Sequence, residues 1–403
     1  MKLSEELQWR GFVAQHTLDQ ISDLDKAPRN FYWGTDPSAD SLHIGHLAAL
    51  MMCACFVRHG YTPYFLVGGA TGQIGDPKDN AERELKPLDE IEHNKAALAR
   101  QIIRVTHSDE NAAIVDNLDW FKDIKFLPFL REIGKCFSMT QLLDRQFVQN
   151  RIGEGGAGIS YAEFSYTLIQ GYDFLHLFRE HNVTLQLCGA DQFGNCTSGI
   201  HLISRLENAT ADCYSCPLII DKVTGRKFGK SEGNAVWLDS EKTSIFDFYQ
   251  FWLNQSDEAL EDYFKYFTFV TPEELDEILI RHRENPGARY GQARLAELVT
   301  AIVHGEDAAM AAKKITAIVF GDGKLTDLST DEVELFTKSF PTATFGNLID
   351  ILVTTGLASS KGEARKLIAG NAISINGQKV TADQAISELS LIKKGKNKFA
   401  LVR

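Results

Sequence analysis

Short apolar runs alternate along the first half of the chain with longer stretches in which apolar positions recur every three or four residues. The runs at 30–34, 62–67, 112–116 and 183–188 read as strands. The helical patterns between them argue for a parallel sheet covered by helices. Ligands of such sheets bind outside the carboxyl ends of the strands, where the first run would deliver Tyr32 and Gly34. From Ser244 to about Val319 the pattern is helical throughout, with Pro272 as a helix start and Pro286-Gly287 as a break. Gly321-Asp322-Gly323 opens an acidic, weakly periodic stretch that ends at Pro341 and predicts a linker over 326–340. Beyond it, Phe345 to Thr355 and Ser360 to Ala369 read as helices, and Ala372 to Val380 as a hairpin turning at Asn376-Gly377. The expected architecture is α/β: a Rossmann-like parallel-sheet domain over 1–220, a helical domain over 221–325, the linker, and a small α+β domain over 341–403.

Bulk properties narrow the class. At 403 residues and 45.0 kDa, two or three domains are expected. With 44% hydrophobic and 24% charged residues the chain has the composition of a globular protein. Its longest apolar run, Leu47 to Val57, is too short to cross a bilayer and fits a buried helix. Met1 to Arg10 carries acids and lacks an apolar signal core, so a cytoplasmic protein is expected. Seven scattered cysteines argue for reduced thiols. Cys213-x-x-Cys216 is the one pair with ligand-like spacing, and without a second pair no metal site is expected. The net charge of −12 hides an asymmetry: Lys361 to Arg403 holds nine Lys or Arg against three acids, about +6, which leaves about −18 elsewhere. A basic end on an acidic protein suits a polyanion held locally.

Two short segments carry the chemistry. Ser41-Leu42-His43-Ile44-Gly45-His46 follows the first strand and a Pro37-containing loop and opens an apolar helix, about Gly45 to His59. A helix N-terminus there favours an anion. His43 and His46 share one face of that helix and can donate hydrogen bonds to phosphate oxygens. Gly45 between them leaves room for a nucleotide to approach the backbone. Lys227-Phe228-Gly229-Lys230-Ser231 sets two lysines around a glycine, suited to a loop closing over pyrophosphate. The Gly68–Gly75 run has neither dinucleotide-fold nor P-loop spacing and reads as a loop approaching the ligand closely. Tyr166, Gln170 and Asp173 lie at i, i+4 and i+7 of a helix predicted from about Ala162 to Arg179, and so line one face.

The two segments together resemble the HIGH and KMSKS signatures of class I aminoacyl-tRNA synthetases. The string Tyr32-Trp33-Gly34-Thr35-Asp36-Pro37-Ser38 through His46 resembles the bacterial-type tyrosyl members in particular. The resemblance continues through Val67 to Asp76, Phe164-Ser165-Tyr166 to Asp173, and Gly189-Ala190-Asp191-Gln192. It implies that Tyr166, Gln170 and Asp76 hold the substrate ammonium, and that Tyr32 and Asp173 hydrogen-bond the phenolic hydroxyl of L-tyrosine. It further implies Gln192 near the α-phosphate and carboxylate, Asp191 and Gly189 near the ribose, and Gly34 and Asp36 at the nucleotide. Gly45 would join the ATP site with His43, His46, Lys227 and Lys230. ATP is the implied co-substrate, with Mg²⁺ carried on it. Ser231 is counted with the catalytic lysines as part of the same signature. The last domain resembles an S4-type RNA-binding module, and Lys361, Arg365, Lys366, Lys393, Lys394 and Lys396 are its expected tRNA(Tyr) contacts. The family also implies a homodimer joined over about Phe126 to Gln149. Trp33 and Thr35 stand where Cys and Phe are frequent in the family, and Phe193 where Trp is, changes that touch packing.

On this reading the tyrosine carboxylate attacks the α-phosphorus of ATP, and the tyrosyl group then passes to the terminal adenosine of tRNA. A carboxylate is ionised at neutral pH, so the site has to supply positioning and charge neutralisation rather than a nucleophile. A tryptophanyl enzyme shares both signatures, but an indole offers no hydroxyl to Tyr32 and Asp173. A nucleotidyltransferase that ignores RNA would not need the basic terminal module. A non-catalytic RNA-binding paralogue would not need both motifs intact.

Overall fold

The computed structural model describes residues 1–75, 85–143, 146–153, 158–220, 228, 235–395 and 398–403. These fall into two compact units, Met1–Leu238 with Glu258–Leu275, and Asp239–Asp257 with Asp276–Arg403.

The first unit is built on six strands, β1 (Gln15–His16), β2 (Asn30–Thr35), β3 (Thr62–Val67), β4 (Ala113–Val115), β5 (Val183–Gly189) and β6 (Asp212–Cys216), in the order β1-β6-β5-β2-β3-β4. All neighbours are parallel except the antiparallel β1–β6 pair. The four predicted strands are present. β6 was not legible in the sequence, because Asp212-Cys213-Tyr214-Ser215-Cys216 has no apolar alternation. The sheet instead buries Cys213, Tyr214, Ser215 and Cys216 on both its faces. β2 lies between β3 and β5, so connections leave it in both directions, and a crevice opens at its carboxyl end.

Helix Ile44–Arg58 follows β2 and is apolar nearly all round, with Leu47, Leu50, Met52, Cys53 and Phe56 buried. Helix Tyr161–His181 is capped by Ser160, whose hydroxyl accepts from the Glu163 N–H, and ends at Asn182 with φ 50°. It packs tightly on helix Phe193–Glu207, because Gly199 lets Phe174 approach so closely that a Cβ on residue 199 would stand 2.6 Å from the Phe174 Cβ and 2.8 Å from its ring. This contact fixes the depth of Asp173, the residue before that ring.

In the second unit the predicted helices 345–355 and 360–369 appear as Leu348–Thr354 and Lys361–Ala369. The hairpin is Ile373–Ile375 with Gln378–Lys379, turning through Asn376 and Gly377 at φ 48° and 82°. Strands Ser390–Lys394 and Lys398–Val402 complete a five-stranded sheet with Thr342–Ala343. The expected linker over 326–340 is corrected: it carries helix Thr330–Ser339, started by a reciprocal Ser329/Glu332 cap. Its buried Phe336 shares one core with Phe246, Ile315 and Val319 from the helical part and Leu391, Phe399 and Leu401 from the terminal sheet. Acidic residues on the exposed face masked the amphipathic repeat.

Candidate active site

A cavity of about 870 Å³ lies at the carboxyl ends of β2 and β5. It is lined by Tyr32, Gly34, Asp36, His43, Gly45, His46, Tyr166, Gln170, Asp173, Gly189, Asp191 and Gln192, so the structure brings together most of the expected site. Asp76, Lys227, Lys230, Ser231 and Lys396 lie outside the described residues.

At one end the two imidazoles open helix Ile44–Arg58. His43 is the N-cap: its Nδ1 accepts from the Gly45 N–H at 3.0 Å. The His43 N–H donates to Nδ1 of His46 at 3.3 Å, and the two rings stand 4.1 Å apart. Both bonds occupy the Nδ1 atoms as acceptors, which leaves each neutral ring its Nε2–H as donor. Gly45 lines the cavity and also serves the cap. A Cβ there would fall 2.7 Å from the His43 ring and 3.2 Å from the Phe228 carbonyl oxygen, so the missing side chain makes room for the cap itself. The Ile44 N–H donates to the Val236 carbonyl and the Leu238 N–H to that of Leu42, and Trp237 meets the His43 ring edge-on. Phe228 is buried on Tyr263 and Phe267, with ring centroids 5.0 and 5.3 Å away.

At the other end Asp173 is 2% exposed. Its Oδ2 accepts from Asn117 Nδ2 at 3.1 Å and its Oδ1 from Trp120 Nε1 at 3.0 Å. Burial pushes its carboxyl well above the ordinary carboxylate range, while these two hydrogen bonds pull the other way. Asn117 is held in the donating orientation because its own carbonyl accepts from the Ala70 N–H at 2.7 Å. Trp120 is held by a stack on His176, centroids 4.3 Å apart. Tyr32 is also 2% exposed, and its buried hydroxyl has no partner among the described residues. Burial pushes its phenol well above the ordinary value, and the Asp173 charge adds to that. The carbonyls of Gln170 and Gln186, both cavity-lining, are likewise buried without partners among the described residues.

Between these ends Tyr166 donates to Asp36 Oδ2 at 2.9 Å, which ties helix Tyr161–His181 to the loop after β2. Gln192 Oε1 accepts from Asn195 Nδ2 at 3.0 Å. Sequence reasoning missed Asn117, Trp120 and Asn195, which hold the expected residues in place. It also missed Lys86, a cation on the cavity wall paired with Glu90. Asn117 and Trp120 follow β4 directly, and their position after a strand's carboxyl end was the available signal.

In the terminal domain Lys361, Arg365 and Lys366 are exposed on one helix. Two further expected tRNA contacts, Lys393 and Lys394, are half-buried and have partners within the chain. The Lys393 ammonium donates to the Val319 carbonyl at 3.2 Å and lies over the Phe399 ring at 5.3 Å. Lys394 donates to the Leu357 carbonyl at 2.7 Å and pairs with Glu363 at 3.0 Å. Lys393 thus ties the terminal sheet to helix Glu306–Phe320, and Lys394 ties it to the terminal domain's own helices.

Residues 24–321 match the family described as tRNA synthetases class I (W and Y), and residues 332–403 the tyrosine–tRNA ligase SYY-like C-terminal domain. Among curated relatives, the tyrosine–tRNA ligase of Lactiplantibacillus plantarum is 42% identical over 100% of this chain and 97% of its own length. That of Ligilactobacillus salivarius is 40% identical, with both chains covered fully. Among solved structures, a C-terminally truncated mitochondrial tyrosyl-tRNA synthetase of Coccidioides posadasii is 28% identical with a TM-score of 0.68, over 78% of this chain and 92% of that one.

Proposed function

We propose, starting from the fact that this chain belongs to the class I tRNA synthetases of the tryptophan and tyrosine group and is a tyrosine–tRNA ligase, that one cavity both reads the phenol and activates the carboxylate. The observation that carries this assignment is Asp173, buried and fixed by two donors, in the same cavity as the His43/His46 pair and the Tyr32 hydroxyl, which has no partner among the described residues.

Tyrosine enters with its ring between Tyr32 and Asp173, and its hydroxyl donates to the carboxylate and accepts from Tyr32. Phenylalanine would leave both protein groups buried and unpaired, and tyrosyl-tRNA synthetases are themselves the standing example of how strongly such a site rejects a ligand lacking the hydroxyl. Tyr166, Gln170 and Asp76 receive the ammonium. The carboxylate is then directed past Gln192 to the α-phosphorus of ATP, with the ribose at Asp191 and Gly189 and the nucleotide backbone near Gly34 and Asp36. One C–O–P bond forms, the bond from the α-phosphorus to the bridging oxygen breaks, and pyrophosphate leaves. His43 and His46 donate through Nε2–H to phosphate oxygens at a helix N-terminus. Lys227 and Lys230 neutralise the charge that grows on the leaving group, with Ser231 beside them. Mg²⁺ arrives on ATP as part of the substrate.

The exposed Lys361, Arg365 and Lys366 support a tRNA contact on helix Lys361–Ala369. A homodimer joined over about 126–149 is supported by Phe126 and Leu127, whose side chains are 63% and 75% exposed. Among the described residues no helix is long and apolar enough to cross a membrane. The seven cysteines are free and buried, which fits the cytoplasm where tRNA is charged.

Pyrophosphate exchange into ATP with tyrosine, tryptophan and phenylalanine in parallel, followed by charging of bulk tRNA, tests the assignment. Exchange with tyrosine alone is expected. Exchange with phenylalanine at a comparable rate would refute the roles of Tyr32 and Asp173.

A further inference from the structure

Three thiols that are distant in sequence converge beside the phenol-reading end of the cavity. Cys188 lies near the end of β5, Cys213 lies on β6, and Cys196 sits in the first turn of helix Phe193–Glu207. All three sulfurs lie within 4.8 Å of one another, and the Cys188 and Cys213 sulfurs are 3.7 Å apart. The register explains the convergence. Gln186 pairs with Cys213 and Cys188 with Ser215, so Cys188 and Cys213 project from the same face of the sheet, and Cys196 comes down onto that face from the helix. Cys216, the partner suggested by the Cys-x-x-Cys spacing, stands at an odd offset and projects from the other face.

We propose that Cys188, Cys196 and Cys213 form a binding site for one thiophilic d¹⁰ cation, Zn²⁺ or a softer ion of the same class. The donor set is sulfur only and is packed by Phe193 and Ile200, so it disfavours the oxygen-seeking Mg²⁺ and Ca²⁺. Zinc–thiolate bonds of about 2.3 Å place sulfurs roughly 3.8 Å apart in a tetrahedron. The Cys188–Cys213 separation already meets this, and the third sulfur has to shift by less than about 1 Å. Cys188 lines the cavity, which gives an ion its entry path. Gln186 lies beside Cys213 on the same face, 2% exposed, with a buried carbonyl oxygen that has no partner among the described residues. That oxygen is the candidate fourth donor. Bound there, the ion would clip β5, β6 and the helix together immediately before Gly189, Asp191 and Gln192.

The test uses the full chain, reduced, stripped with chelator and desalted. Titration with Cd²⁺ is expected to give a sulfur-to-cadmium ultraviolet band that saturates at one ion per chain and is blocked by prior Zn²⁺. Cys196→Ser should weaken binding by about 100-fold or more, whereas Cys136→Ser, outside the cluster, should leave it unchanged. Should Cys196→Ser fail to fold by circular dichroism, X-ray absorption on the zinc-loaded wild type decides: three sulfurs at about 2.3 Å are expected. Absence of the band, an affinity unaffected in a folded Cys196→Ser variant, or fewer than three sulfurs around zinc would overturn the site. Tyrosine-dependent pyrophosphate exchange is read separately, so a failed metal site leaves the assignment of the cavity intact.

Discussion

Trp120→Phe isolates the group that holds the phenol-reading carboxylate. The substitution keeps a six-membered aromatic ring near His176 and removes the pyrrole edge of the indole, with the Nε1–H that donates to Asp173 Oδ1 at 3.0 Å. A hydrogen bond to a charged group contributes about 1.5–3 kcal/mol, which corresponds to about a 10- to 150-fold loss in kcat/KM for tyrosine. The effect has a direction in pH. Burial raises the Asp173 pKa and the Trp120 bond is one of two that lower it, so deleting that bond raises the pKa further. The carboxylate fraction at a given pH then falls, and the acid limb of the kcat/KM profile for tyrosine moves to higher pH. Raising the pH should therefore recover part of the lost activity. The assay is tyrosine-dependent pyrophosphate exchange across pH, with KM for ATP measured alongside. An equal loss toward ATP, or a loss that pH leaves untouched, would refute the claim that Trp120 acts through Asp173.

Gly45→Ala places a methyl 2.7 Å from the His43 ring and should break the N-cap, lowering stability by about 1 kcal/mol and exchange activity by much more; unchanged melting and exchange would show that the ring has room to move. Lys230→Ala should cut the rate of adenylate formation in single-turnover experiments while tyrosine affinity, by equilibrium dialysis, stays near normal; equal losses in both would remove Lys230 from the transition state. Replacing Lys361, Arg365 and Lys366 together with Ala should leave exchange intact, weaken tRNA binding and flatten its dependence on salt, roughly in proportion to the number of phosphates no longer neutralised. A parallel salt slope in the variant would place the tRNA elsewhere.

The sequence displayed the sheet where strands were apolar and the cavity where chemistry needs fixed residue types. Strands β2, β3 and β5 are largely buried on both faces and therefore read as continuous apolar runs. Tyr166, Gln170 and Asp173 were visible from helical spacing. What stayed hidden depends on partners far along the chain. Asn117 and Trp120 act on Asp173, more than fifty residues away, and no local pattern encodes that contact. β6 is polar and cysteine-rich because its neighbours, not its own alternation, bury it. The charge of Lys393 and Lys394 is local and was legible, whereas their partners Val319, Leu357 and Glu363 are remote and were not. The Cys213-x-x-Cys216 spacing could not show the convergence of Cys188, Cys196 and Cys213, because three-residue spacing on a strand points to opposite faces and the other two thiols are remote in sequence.

The terminal sheet is shared between two cores: Ile373, Ile392, Ala400 and Val402 pack on the domain's own helices, while Leu391, Phe399 and Leu401 on the other face melt into the cluster of Phe246, Ile315, Val319 and Phe336. Cutting the chain at Pro341 would strip that cluster of three large side chains and leave a greasy scar on the remainder. Any load placed on helix Lys361–Ala369 would thus be borne by the helical layer as well, as a lever bolted to its mount rather than a bead on a thread.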